Sequence, residues 1–599
     1  MNIQEHKTSP RLWRTLIVVG LIVASVLALW QVSVAAPQAN APYNHGRFGF
    51  GVTRTGGEPT LYDVASLNAG WYWDWSAKGE TAIPSTEYMQ TVRLQPVKSD
   101  GVQIGYTASP TGTTLRNRVK AQPGGTWLIG NEPDCTSMDN MLSEWYARAY
   151  HDMYYLIKSI DPTAQIAAGS IVQPTLQRFM YLDRVLATYQ QEYGEPLPAD
   201  LWATHSYILC EKCYPFKQPG EPFAWGACWV PDWPSYNASY DIATFYSVYD
   251  HWDIEIFKER LVTMRQWMYD NGYRNHPLLI SEYGILFYDG LVSGMTTQDN
   301  IDFMYAGFDW MLEARDPILG FVADDDRLIQ RWAWFSLDHD DWYMGGPLFN
   351  PYSHQRTALG TAFATYTREY ITPTIQVRLL GHAFDFFTDA VENTIRITSS
   401  FTIANQGDLS TPVTITVYEK QTATMPISAT ILDELHCCGD YEQATVAWSK
   451  TSGNSEEFCV HATTSQTSDQ LLCETLSTDI QLDHVWAEAT VTQTQTPTTA
   501  TLYAEVANYG NIGTLQPITL TFYSTKTQRT SPLSEQATSD LIGQAVVRPL
   551  LCCGDHDVGS IVWSDFNRGD EISVGMSTSY MTATPVSVTL NSDLTVTRV

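Results

Sequence analysis

Two textures of apolar and polar residues follow one another along the 599-residue chain. From about position 45 to 370, short apolar runs of strand length alternate with longer stretches whose apolar residues recur at helical spacing. Eight runs read as strands: Arg47–Thr53, Gly70–Trp75, Gln90–Val97, Thr126–Gly130, Gln165–Ser170, Leu201–Tyr207, Pro277–Tyr283 and Gln330–Leu337. Within Met141–Ile160, the residues Met153, Leu156, Ile157 and Ile160 share a helical face, and Asp161-Pro162 ends the pattern; Ile254–Asn271 and Asn300–Ala314 behave alike. Eight strands with intervening helices predict an α/β fold of the (β/α)₈ TIM barrel type, with chemistry at the C-terminal ends of the strands. A doubly wound open sheet is the rival.

After about 370 the period changes to two. Thr, Val and Ile alternate with polar residues between turn signals, and the helical spacing disappears. The segment FTIANQGDLSTPVTITVYE returns as LYAEVANYGNIGTLQPITLTFYS, and LHCCGDYEQATVAW returns as LLCCGDHDVGSIVW. The repeat predicts two tandem all-β sandwiches, 371–475 and 476–599, similar to the immunoglobulin-like modules appended to many exported proteins. The barrel then occupies 37–370.

The first 36 residues carry Lys7, Arg11 and Arg14, an apolar run from Leu16 to Trp30, and the small residues Ser33 and Ala35 before a cleavage point. This is the pattern of a secretory signal; uncut, it is long enough to anchor the chain in a membrane. Secretion or an extracellular, membrane-anchored location is therefore expected. Ten cysteines agree with an oxidising compartment. Cys210-x-x-Cys213 reads as a structural bridge rather than half a metal site, because no second ligand pair at metal spacing follows. Each Cys-Cys dipeptide forms either a vicinal disulfide or a longer bridge, and one pairing open to Cys459 is Cys473 across a strand end. With 35 Lys+Arg against 65 Asp+Glu, the formal charge of -30 repels phosphate backbones, so nucleic acid is excluded as a partner.

Chemistry concentrates at two strand ends. TWLIGNEPD runs from an apolar strand into Asn131, Glu132 and a proline, and PLLISEYGI delivers Glu282 in the same way. In a barrel both carboxyls enter one mouth, where a close pair serves as proton donor and nucleophile in a retaining glycosidase. The aspartates of ADDDR and LDHDDW lack an EF-hand pattern and read as solvated loop acids, so no metal is expected.

Together, Asn131-Glu132-Pro133, Glu282, WATHSY and RWAWFSL resemble the clan A (β/α)₈ retaining glycoside hydrolases, closest in the GNEPD form to endo-β-glucanase-like members. The resemblance covers about 45–370 and implies a hydrolase of β-linked glycans, with Glu132 as acid/base and Glu282 as nucleophile. It further implies Asn131 on the sugar 2-hydroxyl, His205 and Tyr207 in the site with Tyr207 donating to Glu282, and Trp334 stacked under a sugar ring. The clan places an arginine near the end of its second strand; here GWYWDWS offers aromatics, and Arg54 and Arg93 are the candidate substitutes. Trp71, Trp73 and Trp75 share a face, for which packing and sugar stacking are both open, and Trp73 is carried as a substrate-binding candidate. A long insertion from Ile208 to Asp250 is rich in Trp, Pro and Cys; Trp225, Trp229 and Trp233 are expected in a wall of the cleft.

No cofactor is needed, since water and two carboxyls suffice, and the chain has no phosphate loop, dinucleotide glycines or zinc spacing. The alternative is a non-catalytic carbohydrate-binding or adhesion protein built on the same barrel. On either reading the partner is carbohydrate, with the C-terminal sandwiches as spacers or as contacts to polysaccharide or the cell surface.

Overall fold

The computed structural model describes residues 45–589, with breaks at 85, 212–227, 229, 232–245, 288–291, 340–345, 390–393, 420–425, 451–455, 466–467, 490–498, 511–512, 515, 532–533, 552–553, 565–570 and 578–585. The N-terminal apolar run, Cys213, Trp225, Trp229, Trp233 and the second Cys-Cys pair lie outside the described residues.

The N-terminal half is a curled, mostly parallel ten-stranded sheet. Its strands are β1 His45–Gly51, β2 Ala69–Trp73, β3 Glu87–Tyr88, β4 Gln90–Ser99, β5 Val102–Ser109, β6 Thr126–Ile129, β7 Gln165–Ile171, β8 Leu201–His205, β9 Leu278–Tyr283 and β10 Arg331–Trp334. The spatial order is β3-β2-β1-β10-β9-β8-β7-β6-β4-β5. Strands follow one another in chain order around this sheet, with β1 beside both β2 and β10, and without the reversal that marks a doubly wound sheet. β3 and β4 lie near opposite ends of the order, yet only Met89 separates them in the chain. The eight expected strands are present. β3 and β5 add to them: β3 is two residues long, and β5 is a largely exposed strand paired antiparallel to β4.

Period-two alternation divides the side chains between two cores. Trp71, Trp73, Met89, Leu128, Ala167, Leu201, Ala203, Leu279 and Ala333 pack together on the inner, concave side. Their chain neighbours Tyr72, Trp127, Ile129, Trp202, Ile280, Trp332 and Trp334 join a larger layer shared with the helices. The helices at Ser143–Lys158, Ile254–Asp270 and Thr297–Glu313 match the expected periodicities, and the last begins with a Thr296/Asp299 capping box. Three further helices are at Gly112–Ala121, Leu176–Tyr193 and Ala358–Thr365.

The C-terminal half consists of antiparallel sheets. One three-stranded and one four-stranded sheet share a core that includes Ile397, Phe401, Ile415, Val446 and Trp448; a second such pair surrounds Leu502, Leu520, Phe522 and Ile572. The repeated Asn-x-Gly turn has the same role in both modules. Asn405 accepts the Gly407 N–H and donates to the Leu435 carbonyl, while Asn508 accepts the Gly510 N–H and donates to that of Leu551. Gly439 and Gly554, each at positive φ and each following a Cys-Cys pair in the sequence, donate to the Asn405 and Asn508 carbonyls. Cys437 and Cys438 form a vicinal disulfide, and Cys459 pairs with Cys473.

The first module packs against the N-terminal end of the curled sheet through buried charge. Arg47 on β1 is fully enclosed and donates to Asp324, to Asp408 of the module, and to the carbonyls of Gln330 and Gln406. Asp324, one of the acids of ADDDR, is thus a structural acceptor.

Candidate active site

Glu132 and Glu282 meet at the C-terminal side of the curled sheet, each 7% exposed. One carboxylate oxygen from each, together with a nitrogen of His205, lies within a set whose members are all within 4.8 Å of one another. His205, the last residue of β8, presents Nδ1 to Glu132 Oε1 at 3.0 Å and Nε2 to Glu282 Oε1 at 3.4 Å.

Local irregularity aims both glutamates. Strict alternation from Leu279, which faces inward, would turn Glu282 outward. The pairing of β8 and β9 shifts between Thr204↔Ile280 and His205↔Glu282, so a bulge at Ser281 brings Glu282 to the inner face. Glu132 lies beyond β6, where Gly130 has φ 85° and Glu132 itself has φ 46°, a left-handed conformation unusual for a residue with a side chain. Its N–H donates to the Ser170 carbonyl and its carbonyl accepts from the Cys135 N–H.

The two carboxyls have different surroundings. Glu282 receives the Trp75 indole N–H on Oε1 at 2.6 Å and the Tyr207 hydroxyl on Oε2 at 2.9 Å. Burial pushes its pKa up, the charge of His205 opposes this, the charge of Glu132 adds to the rise, and the Trp75 and Tyr207 hydrogen bonds oppose it again. For His205, burial alone would lower the pKa, but Glu282 and Glu132 outweigh it and the imidazole holds its proton to higher pH than usual. The three groups are close enough to ligate an ion. However, the imidazole turns a different nitrogen to each carboxylate, and both Glu282 oxygens already accept a fixed donor, so the arrangement suits proton exchange better than convergence on a metal.

The remaining expected residues divide. Asn131 is held by its N–H to Asp139, which Arg93 also grips, and its buried Oδ1 has no hydrogen-bond partner among the described residues. Trp73 is fully buried in the concave core, 4.9 Å from Trp75 and 6.3 Å from His205, beneath the carboxyls rather than open to a ligand. Trp334 is also fully buried, edge-on to Tyr283 in the helix layer, with its N–H on the Gly346 carbonyl. A stacking role for it is therefore corrected: the inward positions at this strand end are Ala333 and Phe335. Phe335 is partly exposed and stands 5.8 Å from Trp75 and 6.4 Å from Tyr207. Arg54 is engaged by Asp74 and Glu58, and Arg93 by Asp139, so Trp75 rather than either arginine reaches Glu282. Counting on from Ala333 by two finds Phe335, whereas the indole contact of Trp75 depends on its own φ of 56° and has no sequence signal. Trp229 lies outside the described residues.

A buried ionic group adjoins Glu132. Arg178 donates to the Asp134 carboxylate at 3.1 Å, to Glu211 at 3.0 Å, and to the carbonyls of Asp134 and Cys228. Burial pushes Asp134 up to about 6 against the pull of Arg178. Burial would raise Glu211 as well, but the charge of Arg178 and the hydrogen bonds from Arg178, Gln173 and Thr175 hold it below the usual range. Among the acids of LDHDDW, Asp338 is fully buried and accepts from the N–H groups of Thr53 and Arg54 and the hydroxyl of Tyr62, joining two loops at this end of the sheet.

No family model and no curated protein matches this chain. Among solved structures it is similar to a GH128 (subgroup II) endo-beta-1,3-glucanase from Sorangium cellulosum, at 14% identity and TM-score 0.33, over 53% of this chain and 98% of that one. It is also similar to a GH128 (subgroup III) curdlan-specific exo-beta-1,3-glucanase from Blastomyces gilchristii, at 14% identity and TM-score 0.34, over 54% and 99%. A third similarity is to a beta-glucuronidase from Parabacteroides merdae, at 8% identity and TM-score 0.27, over 88% and 57%.

Proposed function

We propose that this protein is an exported glycoside hydrolase that cleaves β-linked glycans with retention of configuration, on a (β/α)₈ barrel closed where Met89 joins β3 to β4. One observation carries the reading: buried oxygens of Glu132 and Glu282 lie within 4.8 Å of each other, reaching across the concave side from the ends of β6 and β9. Retaining enzymes hold their two carboxyls about 5–5.5 Å apart, while inverting ones leave about 6.5–9.5 Å for a water.

Glu282 attacks the anomeric carbon, and Glu132 protonates the departing glycosidic oxygen. The resulting ester is hydrolysed by a water that Glu132 deprotonates, so one difficult step becomes two easier ones. The Trp75 and Tyr207 donors favour the ionised nucleophile and release it as the ester forms. His205 hydrogen-bonds Glu132 through Nδ1, with Nε2 3.4 Å from Glu282, and shares the proton that Glu132 must lose and regain. The unpartnered Oδ1 of Asn131 accepts from the sugar 2-hydroxyl, and Phe335 offers the ring face against which the sugar lies. The C-terminal modules are immunoglobulin-like sandwiches that extend the protein toward polysaccharide or the cell surface.

The test is covalent trapping. Full-length protein screened against a panel of β-linked oligosaccharides and aryl β-glycosides, then incubated with the 2-deoxy-2-fluoro analogue of whichever sugar is turned over, should gain one glycosyl mass on the peptide containing Glu282. Turnover with inverted product, or a label on any other residue, rejects the assignment.

A further inference from the structure

We propose that the Cys135–Cys228 disulfide and Arg178 act together as a positioning device for Glu132, setting how well it delivers a proton to the leaving group. The proposal rests on the reading of Glu132 as acid/base.

Glu132 adopts an unfavourable left-handed backbone, so its direction depends on what surrounds it. Three residues on, Cys135 is fully buried and bonded to Cys228, which lies in the chain between β8 and β9. Both sulfurs lie within 4.8 Å of a Glu132 carboxylate oxygen. They belong to a small apolar cluster with Val172, Tyr207, Leu209, Leu286 and Phe335, and so form a wall that accepts no strong hydrogen bond from the acid. Without that wall, Glu132 gains room to turn away from the bond to be broken.

Arg178 locks the same wall from behind. Its guanidinium is fully buried and binds both the carbonyl and the carboxylate of Asp134, between Glu132 and Cys135, and also Glu211 and the Cys228 carbonyl. One planar fork thus ties both ends of the disulfide to the loop that follows β8. Lysine keeps the charge but cannot span these acceptors.

A group that positions the proton donor matters in proportion to the substrate's need for a proton. Glycosides of simple alcohols need it, while 2,4-dinitrophenyl glycosides leave unaided. In full-length protein, Arg178→Lys and the double substitution Cys135→Ala/Cys228→Ala should lower kcat/KM on an alkyl or oligosaccharide β-glycoside by about 10- to 100-fold, and on the dinitrophenyl glycoside by less than about threefold. Reducing the folded wild-type protein with a phosphine, monitored by circular dichroism, should reproduce the same split without any substitution. Equal losses on both substrates, or none on either, overturn the proposal. Glu132→Ala run alongside separates it from its premise: if that variant shows no leaving-group dependence and no rescue by azide on the dinitrophenyl glycoside, the acid/base assignment itself fails.

Discussion

The indole N–H of Trp75 stands 2.6 Å from Glu282 Oε1, in the place where an arginine was expected to steady the nucleophile. A neutral donor stabilises the carboxylate without adding a positive charge beside it. It leaves His205, whose pKa burial would lower but Glu282 and Glu132 raise, as the group at the pair that can take up a proton. Trp75→Phe keeps the ring and removes the donor, and should lower kcat/KM by about 10- to 100-fold, the range for losing one hydrogen bond to a charged reacting group. Steady-state kinetics read as kcat/KM, which reports formation of the glycosyl ester in the proposed mechanism, measure this. An unchanged kcat/KM would mean that Tyr207 alone suffices.

Trp334 and Phe335 make opposite predictions. Removing the buried Trp334 side chain should cost about 3–5 kcal/mol of stability, as for large aromatic deletions in cores, with KM little changed once folded protein is assayed. Phe335→Ala should leave the melting temperature within a few degrees and raise KM, because its ring faces Trp75 and Tyr207 rather than the helix layer. Thermal melts and substrate titration of the two variants distinguish them.

These two neighbours also show what the chain reveals about itself. Strand positions and most inward faces follow from apolar periodicity, which is why Leu128, Ala203 and Leu279 occupy the concave core. Direction at the strand ends is another matter. The bulge at Ser281 and the positive φ at Trp75 and Glu132 come from backbone geometry that a wide range of sequences would permit, so side chains there cannot be aimed by counting. Cys135–Cys228 joins positions 93 residues apart, and the Arg47–Asp408 contact joins two halves of different texture. Both arise only once the fold exists.

Asp408 is the second case to test. It accepts from Arg47 Nε at 2.7 Å and from both the N–H and the hydroxyl of Thr374, and its pKa lies below the usual range: burial would raise it, but His45 and Arg47 hold it down. Asp408→Ala removes one charged hydrogen bond to Arg47, whose charge Asp324 still pairs, so it should cost about 1.5–3 kcal/mol. Because Arg47 sits on β1, the loss should appear in the curled-sheet half as well as in the first module. Urea unfolding followed by tryptophan fluorescence reads this, since Trp71, Trp73 and Trp332 lie in the sheet. A transition confined to the β modules would show that the joint does not couple the halves.

His45 and His251 predict the response to acid. His251 bridges two strand-end loops, taking the Leu286 N–H on Nε2 and facing the Ile208 carbonyl with Nδ1, so it must be the neutral tautomer that donates from Nδ1. Burial pushes both histidines down to about 4. A folded-state value below the unfolded one means that the unfolded chain binds the extra proton first. Stability from these groups is complete above about pH 6.5 and is lost as pH falls toward 4, by about 3 kcal/mol for each histidine. Asp134, pushed up to about 6, works in the opposite sense: its contribution is present at low pH and lost as pH rises through about 6. For these three groups alone, two losses against one gain leave a decrease of about 3 kcal/mol between pH 7 and pH 4. Unfolding midpoints in urea across this range should fall with acidification, and His251→Asn, which can donate and accept without titrating, should flatten the slope by about half of the histidine contribution. A slope unchanged by that substitution would place the acid sensitivity elsewhere.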